Sequence, residues 1–381
     1  MMIHLIVTIL MFSAEIYLLE RTLGKSKHGL SAIVLIILIF LLLAGNYENA
    51  DTYNYEVEYN ENLSEYGIVF TGYWGYYLLT VLGKALSINY FHFRFIVYGI
   101  GLFILFMAFN RLNINQYASL LLYMLFPMII DSTQTKNFVA MALITLAITF
   151  LISGKIRDKI VFLALIILAG GFHPICYVYF PLVVCDSKKV QVRFVLPIVL
   201  FALVFANRFS ISILSNYILA HLDGFLASRA SEFFSSRVGG QWVKFSATAV
   251  VVILVYSMRK AILSSSHSTS EEKRFSNIVM YCALFSLSFL PLYFLQSEFA
   301  RLLRVFFPAF HMLFIMFLGT RNKTSVRQGE KAFAAVFTPS ELLIITVYFL
   351  LIVYMFYWDI YIYKDTVVMP FFTYNSVFFT S

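Results

Sequence analysis

The sequence predicts an all-α polytopic integral membrane protein, and three observations carry that prediction. Of its 381 residues, 61% are hydrophobic and 13% charged, against roughly 25% charged in soluble domains. Its mean hydropathy is +0.82. Apolar runs long enough for helices recur along the chain, with no alternating segments of the β-barrel kind. Only helices or closed barrels satisfy the backbone in lipid, so each run is expected to be helical. The expected architecture is one transmembrane domain over 1–381. It has about 12 passes, with short or re-entrant helices around an external-facing cavity, and a GT-C-like arrangement is one such plan.

The apolar runs fall at 3–19, 29–45, 91–109, 117–130, 138–153, 160–185, 193–206, 242–258, 275–295, 302–319 and 340–358. The first, "MMIHLIVTILMF", has neither a basic n-region nor a small-residue cleavage site. It is read as a retained first helix, not a signal peptide. Positive clusters at Arg21/Lys25/Lys27, Lys155/Arg157/Lys159, Lys188/Lys189/Arg193, Arg259/Lys260/Lys273/Arg274 and Arg321/Lys323/Arg327/Lys331 mark cytoplasmic loops. The same bias accounts for the net charge of +8 without nucleic acid as a partner. The stretch from Asn46 to Tyr66 carries no Lys or Arg and should be external.

Alternation of sides then makes two demands. Gly67–Leu86, with Tyr73, Trp74, Tyr76, Tyr77 and Lys84, should not span. It suits an interfacial or re-entrant helix, so that 46–90 forms an external loop and interfacial helix. The run over 160–185 should break near "GGFHP" (Gly170–Pro174), with His173 at the turn. Broken backbone at membrane depth is tolerated where it is buried in protein or lines a wet cavity. The region 207–241 mixes apolar stretches with Arg208, Asp223, Arg229, Glu232 and Arg237, and reads as a large external loop.

Four polar constellations fall on the expected outer side. In "NADTYNYEVEY", Asp51, Tyr55 and Tyr59 share a face if the stretch is helical; Asp51, Tyr53 and Tyr55 share one if it is extended. Tyrosine rings and hydroxyls suit sugars, although a plain interfacial tyrosine belt has the same composition. "DSTQTKNF" packs Gln134, Lys136 and Asn137 between two apolar runs; a polar turn with Asp131 or Ser132 as helix cap explains only part of it. His173 is an ionisable group at membrane depth, where such groups mark functional sites or satisfied core positions. In "SEFARLLRVFF", Arg301 and Arg304 stand three residues apart on one helix face, with Glu298 upstream. Paired guanidiniums there fit a diphosphate clamp, a plainer alternative being a snorkelling pair or a salt bridge to Glu298.

No Walker loop, GxGxxG, GxSxG or Cys/His metal spacing occurs, so nucleotide-driven pumping and serine hydrolysis have no support and no metal or cofactor is expected. Cys176, Cys185 and Cys282 all lie in apolar runs and read as small core residues.

These residues, in this order, resemble the EpsG family, the Wzy-type polysaccharide polymerases of bacteria. The similarity rests on "DTYNY" (Asp51–Tyr55), "QTKNFVAMAL" (Gln134–Leu143) and "GGFHPICYVYFPL" (Gly170–Leu182). The family typically carries Arg-Gln where this chain has Lys136–Asn137, which weakens bidentate phosphate recognition at that point. The resemblance implies polymerisation of undecaprenyl-diphosphate-linked oligosaccharide units into O-antigen or capsule. The site would face the periplasm or exterior of a bacterial inner membrane. Within it, Asp51 or His173 is the base. Arg301 and Arg304, then Lys136 and Arg237, hold the diphosphate. Tyr53, Tyr55, Tyr59, Gln134 and Asn137 contact sugar. Membrane lipids and a chain-length regulator are the implied partners. A flippase for the same lipid-linked oligosaccharide would need cations reachable from both sides, and often repeated halves, neither of which is seen. Another lipid-linked transferase is a third alternative, such as an O-antigen ligase, which shares the chemistry but not this early acidic-tyrosine pattern, or a membrane acyltransferase.

Overall fold

A computed structural model of the chain describes residues 2–22, 29–49, 51–61, 73–184, 240–295, 297–328 and 337–377, with isolated positions at 213, 216, 217 and 220. Every regular element among the described residues is helical; the β pairing there is an isolated antiparallel bridge between Asn46 and Asn375. Among the described residues, five helices are long and apolar enough to cross a membrane: Tyr90–Arg111, Thr135–Ser153, Gln241–Ser264, Ser270–Tyr293 and Pro339–Trp358. The all-α membrane class therefore holds. Contacts divide the chain into two compact units, one of residues 1–180, 307–316 and 352–381, the other of residues 181–306 and 317–351.

The first unit opens with α1 (Met2–Thr22) and α2 (Leu30–Gly45). The Glu20 carboxylate joins them, accepting from the Leu30 backbone N–H and from the Ser31 hydroxyl. The acidic-tyrosine stretch forms a short helix, α3 (Thr52–Asn60). Its successor α4 (Trp74–Ala85) has 12 residues. At 1.5 Å per residue it reaches about 18 Å, short of a hydrocarbon core of about 30 Å. The first part of the expected Gly67–Leu86 element, residues 67–72, lies outside the described residues.

Next come α5 (Tyr90–Arg111), capped by the Asn89 side chain, and α6 (Gln116–Leu125), capped by Asn115. A single turn, α7 (Met128–Asp131), leads into α8 (Thr135–Phe150). Every residue of α8 except the last is buried, so it forms the core of this unit. Phe138 packs so closely on Gly101 of α5 that a side chain at 101 would collide with its ring. A 3₁₀ turn at Leu151–Ser153 and Gly154, whose φ of 69° is left-handed, reverse the chain into α9 (Ile156–Phe172). α8 and α9 therefore form a helical hairpin, and the end of α9 returns beside the start of α8.

α9 stops at Phe172, His173 is non-helical, and a 3₁₀ segment runs over Pro174–Val184. The break in "GGFHP" falls where expected, because Pro174 has no N–H to continue the helix. Gly75 and Gly171 let α4 and α9 approach: a Cβ on Gly171 would lie 2.5 Å from the Trp74 ring, and one on Gly75 would lie 3.1 Å from the Gly171 backbone.

The second unit contains α10 (Gln241–Ser264), α11 (Ser270–Ser286), α12 (Leu290–Leu295) and α13 (Arg301–Arg304). A capping box opens α11: Thr269 accepts from the Glu272 N–H at 3.1 Å, and Glu272 accepts from the Thr269 N–H at 2.7 Å. Arg259 Nε donates to Asn277 at 2.7 Å, tying α10 to α11. The run over 193–206, the Lys188 cluster, Cys185, Arg237 and nearly all of the 207–241 loop lie outside the described residues. Cys176 and Cys282 are buried free thiols, in keeping with core roles.

The chain continues with α14 (Phe307–Gln328) and α15 (Pro339–Asp359), followed by short helical turns at Tyr361–Tyr363, Lys364–Val368 and Met369–Thr373. Within the first unit, the buried His311 ring hydrogen-bonds the Phe126 carbonyl at 2.6 Å. The C-terminal stretch also returns to this unit. Asn375 Nδ2 donates to the Leu41 and Leu42 carbonyls at 3.2 and 3.3 Å, and the Ser376 N–H donates to Gly45 at 2.9 Å.

Candidate functional site

In the first unit the three polar motifs converge on the first turn of α8. The acidic stretch is helical, so the sharing of a face by Asp51 and Tyr55 is the arrangement adopted. Asn49 starts that helix: its side-chain oxygen accepts from the N–H groups of Asp51 and Thr52, both at 3.1 Å. Tyr53 points away and is 73% exposed. Tyr55 is half-buried, and burial pushes its hydroxyl well above the usual phenol range, with the Asp51 charge adding to the shift. Tyr59 turns into the packing of α5, its ring 4.6 Å from Phe93 and its hydroxyl donating to the Ile88 carbonyl at 2.5 Å.

Lys136 extends from α8 into a cage made by α3 and α4. Its ammonium lies 4.3 Å from the Tyr73 ring centroid, 4.7 Å from Tyr76 and 5.2 Å from Tyr55. The Glu58 carboxylate closes the cage, accepting at 2.7 and 2.8 Å through its two oxygens. Tyr73 in turn meets His173 edge to face, with ring centroids 5.9 Å apart. Asp51, Tyr55, Lys136 and His173 are thus linked through Tyr55, Tyr73 and Tyr76. His173 is half-buried at the end of α9, and Trp74 Nε1 donates to Tyr177 Oη at 3.2 Å just beyond it.

Behind the cage sits a residue that sequence reasoning passed over. Arg94 of α5 is 2% exposed. It donates to Thr52 Oγ1 at 2.9 Å, to the Ser132 carbonyl at 3.0 Å and to the Leu43 carbonyl at 3.2 Å, and lies 5.3 Å from the Tyr98 ring. All these partners are neutral. Tyr98 reinforces the knot through the Ser132 carbonyl at 2.7 Å, as does Asn46 through Ser132 Oγ at 2.7 Å. Arg94 was invisible because it sits in an apolar run, where a lone Arg reads as a snorkelling surface residue. The Glu58 and Tyr73/Tyr76 contributions had a fainter signal, the density of acids and rings on either side of residues 62–72.

Asp131 and Ser132 do not cap α8. Asp131 Oδ2 accepts from Tyr123 at 3.1 Å, and Ser132 Oγ donates to Ile129 at 2.6 Å. Gln134 is the N-cap residue, without a side-chain capping bond. Asn137 is 3% exposed, and neither of its amide atoms has a hydrogen-bond partner.

Of the remaining predicted cations, Arg301 and Arg304 belong to the second unit, and Arg237 lies outside the described residues. Arg301 is half-buried and Arg304 is 4% exposed, both on the single-turn α13. Lys244 of α10 is buried in the same unit, and the Arg304 charge acts on it. Among the described residues no group of three or more His, Cys, Asp or Glu could hold a metal ion.

The sequence matches the EpsG family over residues 30–376, nearly the whole chain. The protein belongs to the EpsG family. Its members are Wzy-like polymerases, and the chain is a polysaccharide-polymerase-type membrane protein. No curated protein and no solved structure matches it.

Proposed function

We propose that this EpsG-family protein polymerises lipid-diphosphate-linked oligosaccharide repeat units at the outer face of a bacterial cytoplasmic membrane. The observation that carries the reading is the convergence of Asp51/Tyr55, Lys136 and His173 around one tyrosine cage. Membership of the family supports the reaction class. About 12 passes around an external-facing cavity, on a GT-C-like plan, belong to the same reading.

The chemistry is glycosyl transfer. A hydroxyl of the incoming unit attacks the anomeric carbon of the growing chain, and the bond from that carbon to the lipid diphosphate breaks. The diphosphate leaves with the electron pair, and the hydroxyl proton passes to a base. Asp51 is the first candidate for that base, because it lies beside the half-buried Tyr55 at the head of α3; His173 is the second. Positive charge developing at the anomeric carbon is stabilised by carboxylate or tyrosine oxygen, as in glycosidases. Lys136, Arg301, Arg304 and Arg237 are the cations proposed for the departing diphosphate, and Tyr53, Tyr55 and Gln134 the groups proposed for sugar; Tyr59, expected there from its spacing, is buried in the packing of α5 instead. Undecaprenyl diphosphate is the proposed carrier, O-antigen or capsule the proposed product, and a separate chain-length regulator the proposed partner. The deciding experiment incubates the purified protein with a lipid-linked repeat unit and looks for a ladder of products. A single unextended band from active, folded protein refutes the reading.

A further inference from the structure

We infer that the first turn of α8 is a diphosphate-binding site, and that the Glu58 carboxylate occupies its cation as an internal competitor. The first N–H groups of a helix have no partners within it and carry the positive end of its dipole, which favours an anion. Here the groups best placed to cap them are engaged elsewhere. Ser132 and Thr133 hydroxyls turn back to the Ile129 and Ile130 carbonyls at 2.6 and 2.9 Å, and Thr135 donates to Tyr98 at 3.0 Å. Gln134 gives no capping bond.

A second observation, independent of the helix end, points to a ligand. Asn137 is 3% exposed with both amide atoms unpartnered. A buried amide without partners costs on the order of 1–3 kcal/mol per lost bond, so it is retained at such a place for something that satisfies it. Thr135 and Phe138 lie on the side of α8 that meets Tyr98. Asn137 is therefore turned toward the side where the end of α9 returns with His173, and its side chain leans back to the helix start.

The third element is Lys136. Three tyrosine rings hold its ammonium in place, and Glu58 meets it with two oxygens at 2.7 and 2.8 Å. A carboxylate presenting two oxygens to a caged ammonium takes the position that two phosphate oxygens would take. The Glu58 side chain is 35% exposed, so it can swing out to water when displaced. A diphosphate carries more charge and more acceptors than one carboxylate, and it can also accept from Asn137 and the α8 N–H groups, which Glu58 leaves unpaired. Lys136, Asn137 and the turn then act as one site, whereas Glu58 sets the threshold for filling it. That the diphosphate is the headgroup of a lipid-linked glycan rests on the polymerase reading; the site itself does not.

The test is a titration of the full-length protein in detergent with inorganic pyrophosphate, and in a separate arm with a polyprenyl diphosphate, followed by calorimetry. Glu58→Gln is expected to bind pyrophosphate about tenfold more tightly than the wild type, Asn137→Ala several-fold more weakly, and Lys136→Met not measurably. Equal or weaker binding by Glu58→Gln overturns the competitor role, and unchanged binding by Lys136→Met overturns the site. If Glu58→Gln is not recovered folded, Glu58→Asp, which shortens the carboxylate's reach, should tighten binding in the same direction, and failure to do so counts equally against the proposal. The same ordering with polyprenyl diphosphate assigns the site to a lipid headgroup, whereas the ordering with pyrophosphate alone assigns it to free diphosphate. The polymer ladder is read independently: binding without a ladder keeps the site and removes the polymerase, and a ladder without binding does the reverse.

Discussion

Arg94 donates to the Thr52 hydroxyl at 2.9 Å, so a long helix of the first unit fixes the first residue of the short helix that follows Asp51. The same guanidinium holds the Ser132 and Leu43 carbonyls, and so sets the acidic helix against the turn that leads to Lys136. Lysine cannot reproduce that fork. Arg94→Lys should lose about 2–4 kcal/mol of stability, because buried carbonyl and hydroxyl partners lose their donors. It should also reduce polymer formation at temperatures where the protein is still folded. Thermal unfolding beside a ladder assay checks both, and a variant as stable as the wild type would show that the knot is not structural.

Asp51→Asn should abolish polymer while leaving the protein in the membrane. The amide keeps the shape and the Asn49-capped helix start, but it takes up no proton at the pH of the assay. His173→Gln separates the two candidate bases. If Asp51 is the base, the histidine variant should retain a measurable rate. Full-length polymer from Asp51→Asn would remove that residue from the mechanism.

Arg301→Ala and Arg304→Ala should both weaken retention of a diphosphate lipid, by about tenfold each if they form a clamp. Their effects on folding should differ. Arg304 is nearly fully buried, so its loss should lower the unfolding temperature, whereas half-buried Arg301 should be close to neutral. Unchanged lipid affinity in both variants sinks the clamp.

How much of this could be read from the chain follows from what each signal encodes. Hydropathy encodes burial, so the helices and the break in "GGFHP" were legible. Motif order placed Asp51, Lys136 and His173 as candidates, because each is a polar group in an apolar setting. The cage was not legible. Glu58 and Lys136 are 78 residues apart, and nothing in either segment says which acid meets which cation. Tyr59 illustrates the converse: it shares a helical face with Asp51 and Tyr55 by spacing, yet packing on Phe93 and Ile88 uses both its ring and its hydroxyl. Arg94 was hidden for a third reason. A buried cation satisfied by backbone carbonyls leaves no charged partner in the sequence to find.

The tyrosines make a statement about pH. Burial and a hydrogen bond to Glu56 at 2.8 Å push the Tyr47 hydroxyl up to about 12, and Tyr55 is also raised well above its ordinary value. A pKa raised on folding means the folded state resists ionisation. The associated stability is fully present below the unfolded phenol value near pH 10, and for Tyr47 is lost as pH climbs through about 12. Both hydroxyls therefore stay neutral through pH 9, and that of Tyr47 donates to Glu56. Stability should hold through pH 9 and fall above it, and Tyr47→Phe should soften that alkaline fall. An alkaline limb in the polymerisation rate below pH 9 would have to come from a group other than these two.

Gly171→Ala tests the cage without touching any of its members. A Cβ there would meet the Trp74 ring at 2.5 Å, a separation that cannot persist, so α4 must move or the indole must turn. Trp74 follows Tyr73, and two residues further on stands Tyr76, so a shift of α4 carries two of the three rings around Lys136. Overpacking of this kind costs about 1–3 kcal/mol. The expected result is a modest drop in unfolding temperature with a larger drop in polymer yield, together with greater reactivity of Lys136 toward an amine-directed reagent, because its ammonium has lost ring contacts. Gly170→Ala, one residue earlier, would press on Tyr177 instead, on the far side of His173, and should cost stability with less exposure of Lys136. Equal Lys136 reactivity in the two variants would mean that the cage is not held by the α4–α9 contact.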